Sequence, residues 1–295
     1  MNILLFGGTG QVGRELLDRA STHCAAFLAP PREVVDLLDE RAIIAAIEDA
    51  RTDLVINAAA YTAVDQAESD EKTALAINGR APGAMARACA ARDLPLIHLS
   101  TDYVFDGDKA GAWREDDRTG PINAYGRTKL VGELAVSAAG GRSLVVRTSW
   151  VFSPYGRNFV KTMLGLADRP ELRVVDDQTG RPTAAGDIAE FLFAAAPRLA
   201  AGNDPALTGL VHFAGSGTTT WRGFADAIFA LSGGPAPRIV PVATEAYPTP
   251  ARRPRNSELD CYKVERLFGV RPRAWREGLA ETLSVLAGKS GVIRA

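Results

Sequence analysis

Cysteine is scarce in this sequence: Cys24, Cys89 and Cys261 are the three cysteines among 295 residues. No two of them stand at the spacing of a metal site or a redox pair, and an odd, scattered set argues against a disulfide framework. We therefore interpret all three as reduced thiols, predict no metal site from them, and expect a cytoplasmic protein.

The sequence also lacks a strong net charge and a long apolar run. The net charge of −1 argues against a general binder of nucleic acid or of membrane surfaces. No apolar run approaches the roughly 18 residues that a membrane helix needs, and the first residues lack the basic region of a signal peptide. A hydrophobic content of 46% is enough for a large core, in one large domain or in two.

Glycine is concentrated near the start of the chain, directly after a predicted strand. Residues 2–6 form a short apolar run typical of a strand buried on both faces, and residues 14–20 have helical periodicity. Between them, residues 7–13 include Gly7, Gly10 and Gly13. Glycine lets a backbone approach a pyrophosphate, and a helix N-terminus offers free N–H groups. The pattern therefore predicts a dinucleotide-binding turn, with an ordinary tight turn as the alternative.

The alternation of apolar runs and amphipathic segments predicts an α/β fold. We expect a Rossmann-type, doubly wound parallel sheet at residues 1–150. Residues 151–295 are less regular, and we predict a smaller, mainly substrate-binding domain there, with some later segments returning to the sheet. The predicted strands are residues 24–29, 53–60, 96–100, 143–147 and 210–214, and the predicted helices are residues 40–50, 71–92, 125–136, 186–196, 220–231, 261–268 and 275–286.

The end of the predicted second strand bears on the choice of dinucleotide. NAD-binding folds place an acidic residue there, but here no carboxylate stands directly at the strand end and Arg32 is close by. A basic residue suits the extra phosphate of NADP, so we predict NADPH or NADH with NADPH favoured; a solvated surface arginine is the alternative. Asp36 and Leu37 are candidates for the adenine wall, although Asp36 or Asp39 could instead cap the next helix.

Tyr125 and Lys129 stand four residues apart in a segment with a helical pattern, so they lie on one face of the predicted helix. An ammonium beside a phenol favours the phenolate and lowers the phenol pKa from about 10 toward working pH. Such a pair can donate a proton to a carbonyl group during reduction. On these two residues alone, a chance pair on an amphipathic helix is the alternative.

Three features coincide in this chain: the glycine turn, Thr101 at the end of a predicted strand, and the Tyr125–Lys129 pair. On these features the chain resembles the short-chain dehydrogenase/reductase superfamily, in its extended branch that acts on nucleotide sugars. The resemblance implies that Thr101, Tyr125 and Lys129 form the catalytic trio. Residues 57–60 stand where the superfamily has its N-x-A-type strand end, and small residues there let a cofactor lie against the strand.

Within this branch, the chain resembles the dTDP-4-dehydrorhamnose reductase family along its whole length. The similar segments are residues 7–13, 57–65, 100–105, 147–152, 158–163, 216–221 and 246–257. The resemblance implies NAD(P)H-dependent reduction of the C4 ketone of dTDP-4-dehydro-β-L-rhamnose to dTDP-L-rhamnose, with Tyr125 as the proton donor. Thr101 would bond the substrate oxygen, and Lys129 would lower the Tyr125 pKa and bond the nicotinamide ribose. The candidate cofactor-binding residues are Gly7, Gly10, Gln11, Val12, Gly13, Arg32, Asp36, Leu37, Ala58, Ala60, Tyr61, Thr62, Leu99, Tyr125 and Lys129.

Candidate substrate-binding residues lie at two strand ends and in one proline-rich loop. Asp102 and Trp150 are candidates for the sugar wall beside Thr101; for Trp150, a place in the interdomain core is the alternative. Arginine binds phosphate through paired N–H donors, so we predict that the loop arginines hold the diphosphate of a dTDP-sugar, with a solvated basic loop as the alternative. These arginines are Arg252, Arg253 and Arg255.

Two other functions compete with this interpretation. A nucleotide-sugar 4-epimerase or 4,6-dehydratase would share the scaffold, but a dehydratase commonly has Asp-Glu after the threonine, where this chain has Asp102-Tyr103. A regulatory subunit like that of methionine adenosyltransferase would keep the fold without the chemistry, and the intact trio argues against it. Two positions depart from the family: its usual Asp at the end of the second strand is absent, and the loop after Asp106 varies. A homodimer and a bound Mg²⁺ are compatible with the resemblance.

Overall fold

The computed structural model describes residues 1–23, 25–202 and 204–291, so the interpretation of Cys24 lies outside the described residues. The strands are β1 (Asn2–Phe6), β2 (Ala26–Leu28), β3 (Leu54–Asn57), β4 (Leu96–Thr101), β5 (Ser143–Thr148), β6 (Val151–Phe152), β7 (Glu171–Val175), β8 (Thr179–Gly180), β9 (Thr183–Ala184), β10 (Gly209–His212), β11 (Thr219–Thr220), β12 (Arg238–Val242) and β13 (Asn256–Ser257). The helices are α1 (Gln11–Arg19), α2 (Glu40–Asp49), α3 (Val64–Ala67), α4 (Glu71–Leu75), α5 (Ala81–Ala91), α6 (Ala124–Ala138), α7 (Phe159–Leu164), α8 (Ala185–Ala201), α9 (Trp221–Ser232), α10 (Tyr262–Phe268) and α11 (Trp275–Gly291).

Six strands form the central sheet in the order β2-β1-β3-β4-β5-β10, and all neighbouring pairs are parallel. The predicted Rossmann-type, doubly wound sheet is confirmed. The strand order reverses between β1 and β3, and open α/β sheets bind ligands at such a switch point, outside the carboxyl ends of the strands. Gly7 follows β1 there with φ of +89°, and a Cβ on it would lie 2.5 Å from the Ala59 nitrogen. Only glycine therefore lets these two loops meet.

Both faces of the central sheet are covered by helices, as the apolar run of β1 predicts. Leu5 packs on one face in a cluster with Leu16 of α1 and Phe191 of α8. Leu4 packs on the opposite face in a cluster with Ile43 of α2. A strand buried on both faces needs apolar residues at successive positions, which explains why β1 shows no alternation.

The later half of the chain contributes to two regions. Strand β10 is the edge strand of the central sheet, and helices α8 and α10 pack on that sheet. The Phe191 ring of α8 stacks on Phe213 at a centroid distance of 4.7 Å. A separate apolar cluster includes Phe224 of α9, Trp275 and Leu279 of α11, and parts of α7 and β7. Three small sheets flank this cluster, in the orders β11-β8-β13, β12-β7 and β6-β9.

Candidate active site

The trio is assembled by β4, which ends at Thr101, and by α6, which carries Tyr125 and Lys129 one turn apart. Asn123 caps α6 by accepting a hydrogen bond from the Gly126 N–H at 2.8 Å. Thr101 and Lys129 are 5% and 2% exposed, and Tyr125 is partly exposed. The Thr101 hydroxyl lies beside the Tyr125 side chain and lowers its pKa. The structure thus brings the predicted trio to one place.

Lys129 points into the protein. Its ammonium donates a hydrogen bond to the Leu99 carbonyl oxygen, with an Nζ–O distance of 2.7 Å. Burial lowers the pKa of Lys129 to about 8, while the charge of Glu133 raises it. A lysine with a pKa this close to neutral is typical of a functional site.

The pKa of Tyr125 is raised to about 12. Burial is the main cause; the hydrogen bond with Thr101 lowers the pKa, and the charge of Asp102 raises it. The prediction that Lys129 lowers the Tyr125 pKa toward neutral is therefore wrong. The prediction used only the spacing of the two residues along the helix, which does not reveal how deeply the phenol is buried. A phenol with this pKa is protonated at neutral pH, which is the form that a proton donor requires.

Asp102 is a buried carboxyl group beside the trio. It is 3% exposed, and its Oδ1 accepts a hydrogen bond from the Thr101 hydroxyl at 3.0 Å. Burial raises the pKa of Asp102 to about 7, although hydrogen bonds with Ser257 and Thr101 lower it. Its Oδ2 is buried and has no hydrogen-bond partner among the residues described. An unpaired buried oxygen is costly, so its persistence indicates a functional position.

A buried ion pair holds α6 against the sheet. Arg147 of β5 donates to both oxygens of Glu133, at Nε–Oε1 and Nη2–Oε2 distances of 2.8 and 2.6 Å. The Ser100 hydroxyl of β4 donates to the same carboxylate. Paired, bidentate bonds of this kind fix geometry as well as supply energy. They tie the helix that carries Tyr125 to the strands whose ends complete the site.

The glycine turn fits a dinucleotide pyrophosphate. A Cβ on Gly13 would lie 2.1 Å from the Gly7 carbonyl oxygen, so the turn closes only with glycine at this position. Helix α1 has Gly10 as its N-cap and, in the described part of the chain, no side chain that caps it. The N–H groups of Gln11 and Val12 at this helix N-terminus are thus disposed toward an anion.

The predicted adenine end of the site is exposed. The Arg32 side chain is 71% exposed, and its nearest nitrogen lies 3.7 Å from Asp36 Oδ2. Asp36 Oδ1 accepts from the Leu38 N–H, whereas Asp39 caps α2 through two backbone N–H groups. The capping role considered for Asp39 is confirmed, and Asp36 and Leu37 remain candidates for the adenine wall.

Hydrogen bonds from Asn78 hold the loop after β3, and the sequence does not predict this role for Asn78. Asn78 accepts a hydrogen bond from the Tyr61 N–H at 2.8 Å and donates to the Tyr61 carbonyl oxygen at 3.2 Å. It lies in a π-helical turn, Ala76–Arg80, which interrupts the helix predicted at residues 71–92. Such turns are frequent at functional sites. The contact sets the path of the backbone next to Ala58, Ala60 and Thr62.

The three loop arginines differ in their surroundings. Arg253 forms an ion pair with Asp65, at an Nη2–Oδ1 distance of 2.9 Å, and Arg255 pairs with Glu245 at the exposed surface. Arg252 is exposed, and its side chain has no polar partner within the described residues. Its carbonyl oxygen accepts from Asn123 at 2.8 Å, which places the loop at the start of α6.

Trp150 has a strained backbone and a fixed ring. Its φ of +47° is rare for a bulky residue, and strain of this kind clusters at functional sites. Its ring stacks on Trp221 at a centroid distance of 3.6 Å, and a Cβ on Gly180 would lie 2.5 Å from it. The ring belongs to the packed contact with the C-terminal region and also lies at the end of β5, so both roles considered for Trp150 are compatible with its position.

Several residues near the site are not assigned by the sequence. Asp65, Trp221 and Ser257 fall inside segments that resemble the family. The resemblance could have marked these residues as candidates, but it does not show which residues they contact. Asn78 has no such signal, because a polar residue within a long helical pattern is expected at the surface.

Residues 1–23, 25–202 and 204–291 contain neither a cluster of metal ligands nor a helix that could span a membrane. This part of the chain has no group of three or more His, Cys, Asp or Glu side chains placed to hold a metal ion. It also has no helix long and apolar enough to cross a bilayer. Cys89 and Cys261 are buried free thiols, as predicted.

The parallel sheet, the glycine turn at its switch point and the trio at the ends of β4 and α6 define a short-chain dehydrogenase/reductase fold and site. A family model described as RmlD substrate binding domain matches residues 1–287. The dTDP-4-dehydrorhamnose reductase of Sinorhizobium fredii is 44% identical over 281 residues, which cover 94% of this chain and 95% of that protein.

Two solved structures are also similar to the chain. A dTDP-4-dehydrorhamnose reductase from Clostridium acetobutylicum has a TM-score of 0.91 and 35% identity, covering 97% of this chain and 100% of that chain. The enzyme of the same name from Bacillus anthracis, in complex with NADP, has a TM-score of 0.90 and 31% identity, covering 96% and 99%. The chain therefore belongs to the dTDP-4-dehydrorhamnose reductase family.

Proposed function

We propose that the chain reduces the C4 ketone of dTDP-4-dehydro-β-L-rhamnose to dTDP-L-rhamnose, in dTDP-rhamnose biosynthesis. The observation that carries this proposal is the neighbouring Tyr125 and Thr101 side chains at the carboxyl end of β4, in a sheet with the glycine turn at its switch point. The names of the similar enzymes from Sinorhizobium fredii and Bacillus anthracis support the choice of substrate.

Each member of the trio has a distinct role in this proposal. A bound dinucleotide supplies the hydride, and the protein supplies placement and the proton. Tyr125, protonated at neutral pH because its pKa is about 12, donates its proton to the C4 oxygen. Thr101 binds the same oxygen and fixes its distance from Tyr125. Lys129 bonds the nicotinamide ribose. Asp102 and Trp150 border the sugar.

The competing functions are less well supported. Elimination by a dehydratase needs an acid and a base beside the threonine, but the pKa of Tyr103 is raised far above its usual value by burial and by the charge of Asp102. A neutral phenol cannot act as a base at neutral pH. A non-catalytic subunit would have no need for a protonated Tyr125 beside Thr101 and a buried Lys129 on the same helix.

The test of the proposed function is coupled turnover. dTDP-glucose is converted by the preceding pathway enzymes, and the loss of NADPH absorbance is followed after addition of this chain. We expect stoichiometric NADPH oxidation and a dTDP-L-rhamnose product. Turnover without net NADPH oxidation would indicate an epimerase, and no turnover with tight cofactor binding would indicate a regulatory subunit.

The cofactor preference gives a first prediction. Arg32→Ala should lower kcat/KM with NADPH by roughly tenfold, because a charge-assisted contact to the extra phosphate is worth about 1.5 kcal/mol or more. The value with NADH should not change. Arg41→Ala, at an exposed arginine of α2, is the matched control and should alter neither. A wild-type protein that strongly prefers NADH would contradict the assignment of Arg32.

The arginine loop gives a second prediction. Arg252→Ala and Arg253→Ala should each raise KM for the sugar nucleotide by roughly ten- to a hundredfold and leave the Kd for NADPH unchanged. Lysine should rescue only in part, because a point charge cannot reproduce the guanidinium fork. We expect a smaller effect at Arg255, whose side chain pairs with Glu245.

The control for this prediction is Arg238→Ala on β12, an exposed arginine that pairs with Glu171. It should change KM less than twofold, because Arg238 lies on β12, outside the arginine loop, and its charge is already paired. Unchanged KM in all loop variants would make the loop a solvated surface, and a raised Kd for NADPH would place it against the cofactor.

The proposal has three further features. A homodimer and a bound Mg²⁺ rest on the family resemblance alone, and a cytoplasmic location rests on the three scattered cysteines of the sequence. Sedimentation equilibrium tests the first, and turnover after dialysis against a chelator tests the second. Fractionation of the source cells tests the third.

A further inference from the structure

The hydroxyl group of Thr101 is fully engaged by its neighbours. It accepts a hydrogen bond from the Tyr103 N–H at 3.2 Å and donates its single proton to Asp102 Oδ1 at 3.0 Å. The Tyr125 side chain lies beside the same hydroxyl group, which lowers the pKa of that phenol. A hydroxyl group has one proton and two acceptor positions, so the direction of each bond can be deduced by counting.

An ionised Asp102 fixes these directions in a form that opposes reduction. A carboxylate only accepts, so Thr101 must give its proton to Asp102. One acceptor position of Thr101 then remains, and the phenol proton of the neighbouring Tyr125 can point at it. In this arrangement the Thr101 hydroxyl group has no proton left for the C4 oxygen of a substrate.

A protonated Asp102 reverses the arrangement. Its carboxyl O–H can donate to Thr101 Oγ1, which frees the Thr101 proton to point at the substrate oxygen. Thr101 then has no free acceptor position, so the Tyr125 proton is also released toward the substrate. We propose that Asp102 is a positioning residue that orients the Thr101 hydroxyl, and that the reducing form of the site has a protonated Asp102. This inference rests on the proposed reduction.

The surroundings of Asp102 are suited to this role. The side chain is almost fully buried, and its Oδ2 has no partner among the described residues, so no fixed donor there holds the carboxylate in its charged form. The pKa of about 7 places the change of form near neutral pH. Three charged or titratable groups face Asp102 or its neighbour Tyr103: Tyr125 of α6, Asp65 of α3 and Arg253 of the arginine loop. The Ser257 hydroxyl of β13 lowers the pKa of Asp102.

The test is the pH profile of kcat/KM, measured with NADPH deuterated at the transferred position so that an isotope effect confirms that hydride transfer limits the rate. In the wild-type protein, kcat/KM should fall as the pH rises through about 7, approaching tenfold per pH unit. In Asp102→Asn the amide N–H donates to Thr101 at every pH. This variant should keep activity within about tenfold of the wild-type value at pH 6 and lose the decline near 7.

A second variant moves the profile without touching the trio. The Ser257 side chain lowers the pKa of Asp102, so Ser257→Ala should shift the decline to higher pH. Asp106→Asn, four residues along and bonded to the Asp108 N–H, is the matched control and should leave the profile unchanged. A separate decline near 8, from Lys129, should persist in all three variants.

Two results would overturn the inference. In the first, the decline of kcat/KM near pH 7 persists in Asp102→Asn; in the second, the Ser257→Ala change does not move this decline to higher pH. A raised KM for the sugar nucleotide in Asp102→Asn with an unchanged profile would make Asp102 a substrate ligand only. Infrared difference spectra report on Asp102 without turnover. The protonated carboxyl band, absent in Asp102→Asn, should be present at pH 6 and lost by pH 8, and a missing band at pH 6 refutes the proposal even if the proposed reduction fails.

Discussion

Replacing Tyr125 by phenylalanine should lower kcat by about 10²–10⁴-fold, which is the range that a positioned acid contributes. The ring should stay in place, because it packs edge-on against Tyr103 at a centroid distance of 5.7 Å and this contact does not use the hydroxyl group. The Kd for NADPH should therefore change little. The measurement is steady-state kcat and KM for the sugar nucleotide, together with fluorescence titration of NADPH.

The control for this change is Tyr262→Phe on α10, where the residue is 69% exposed and the loss of a phenol should have no effect on kcat. If Tyr125→Phe turned over at nearly the wild-type rate, the proton would have to come from another group, and Thr101 would be the next candidate. A large rise in the Kd for NADPH would instead indicate that the hydroxyl group serves cofactor binding.

Much of the fold can be predicted from the sequence, because the central strands carry their signal locally. Strand β1 has the predicted bounds, and β4 differs from residues 96–100 by one position. The sequence does not predict the β7–β12 pair, because both strands are partly exposed and mix charged with apolar residues, so their pairing depends on α9 and on each other.

The sequence also does not predict the π-helical turn, because one extra residue in a turn hardly alters the helical period of 3.6 residues in the apolar pattern.

The sequence predicts which residues form the active site better than it predicts their pKa values. Spacing places Tyr125 and Lys129 on one face of a helix, but it does not reveal that the Lys129 ammonium reaches the Leu99 carbonyl oxygen. It also gives no measure of burial, which dominates the pKa of both residues. Arg253 pairs with Asp65, which lies 188 residues earlier in the sequence, and Asn123 donates to the carbonyl oxygen of Arg252, 129 residues later. Only the folded chain shows these partners.

Lys129→Met should abolish most turnover and yet stabilise the fold. The pKa of Lys129 is lowered from 10.5 to about 8, so the native state disfavours the charged form by about 3 kcal/mol at 1.36 kcal/mol per unit. Methionine fills similar space without a charge, and the lost hydrogen bond to Leu99 offsets about 1 kcal/mol of the gain. At pH 7 we expect the free energy of unfolding to rise by about 1–3 kcal/mol while kcat falls at least about a hundredfold.

The pH dependence of this gain has a definite sign. Between pH 8 and 10.5 the unfolded chain binds more protons at this lysine than the native protein, so the stability of the wild-type protein rises with pH in that window. Below pH 8 both states are charged and the full cost of burial is present. The advantage of Lys129→Met should therefore be largest below pH 8 and should shrink toward pH 10.

Urea unfolding of both proteins at pH 7 and pH 9.5, beside turnover at pH 7, measures this change. Lys263→Met is the matched control, because Lys263 also donates to a carbonyl oxygen, that of Leu210 at 2.7 Å, but is partly exposed. It should lose a little stability and keep its activity. If Lys129→Met were less stable than the wild-type protein at pH 7, the bond to Leu99 would outweigh the cost of the buried charge. A gain in stability with a loss of turnover would instead mean that the chain keeps a destabilising charge because its chemistry needs one.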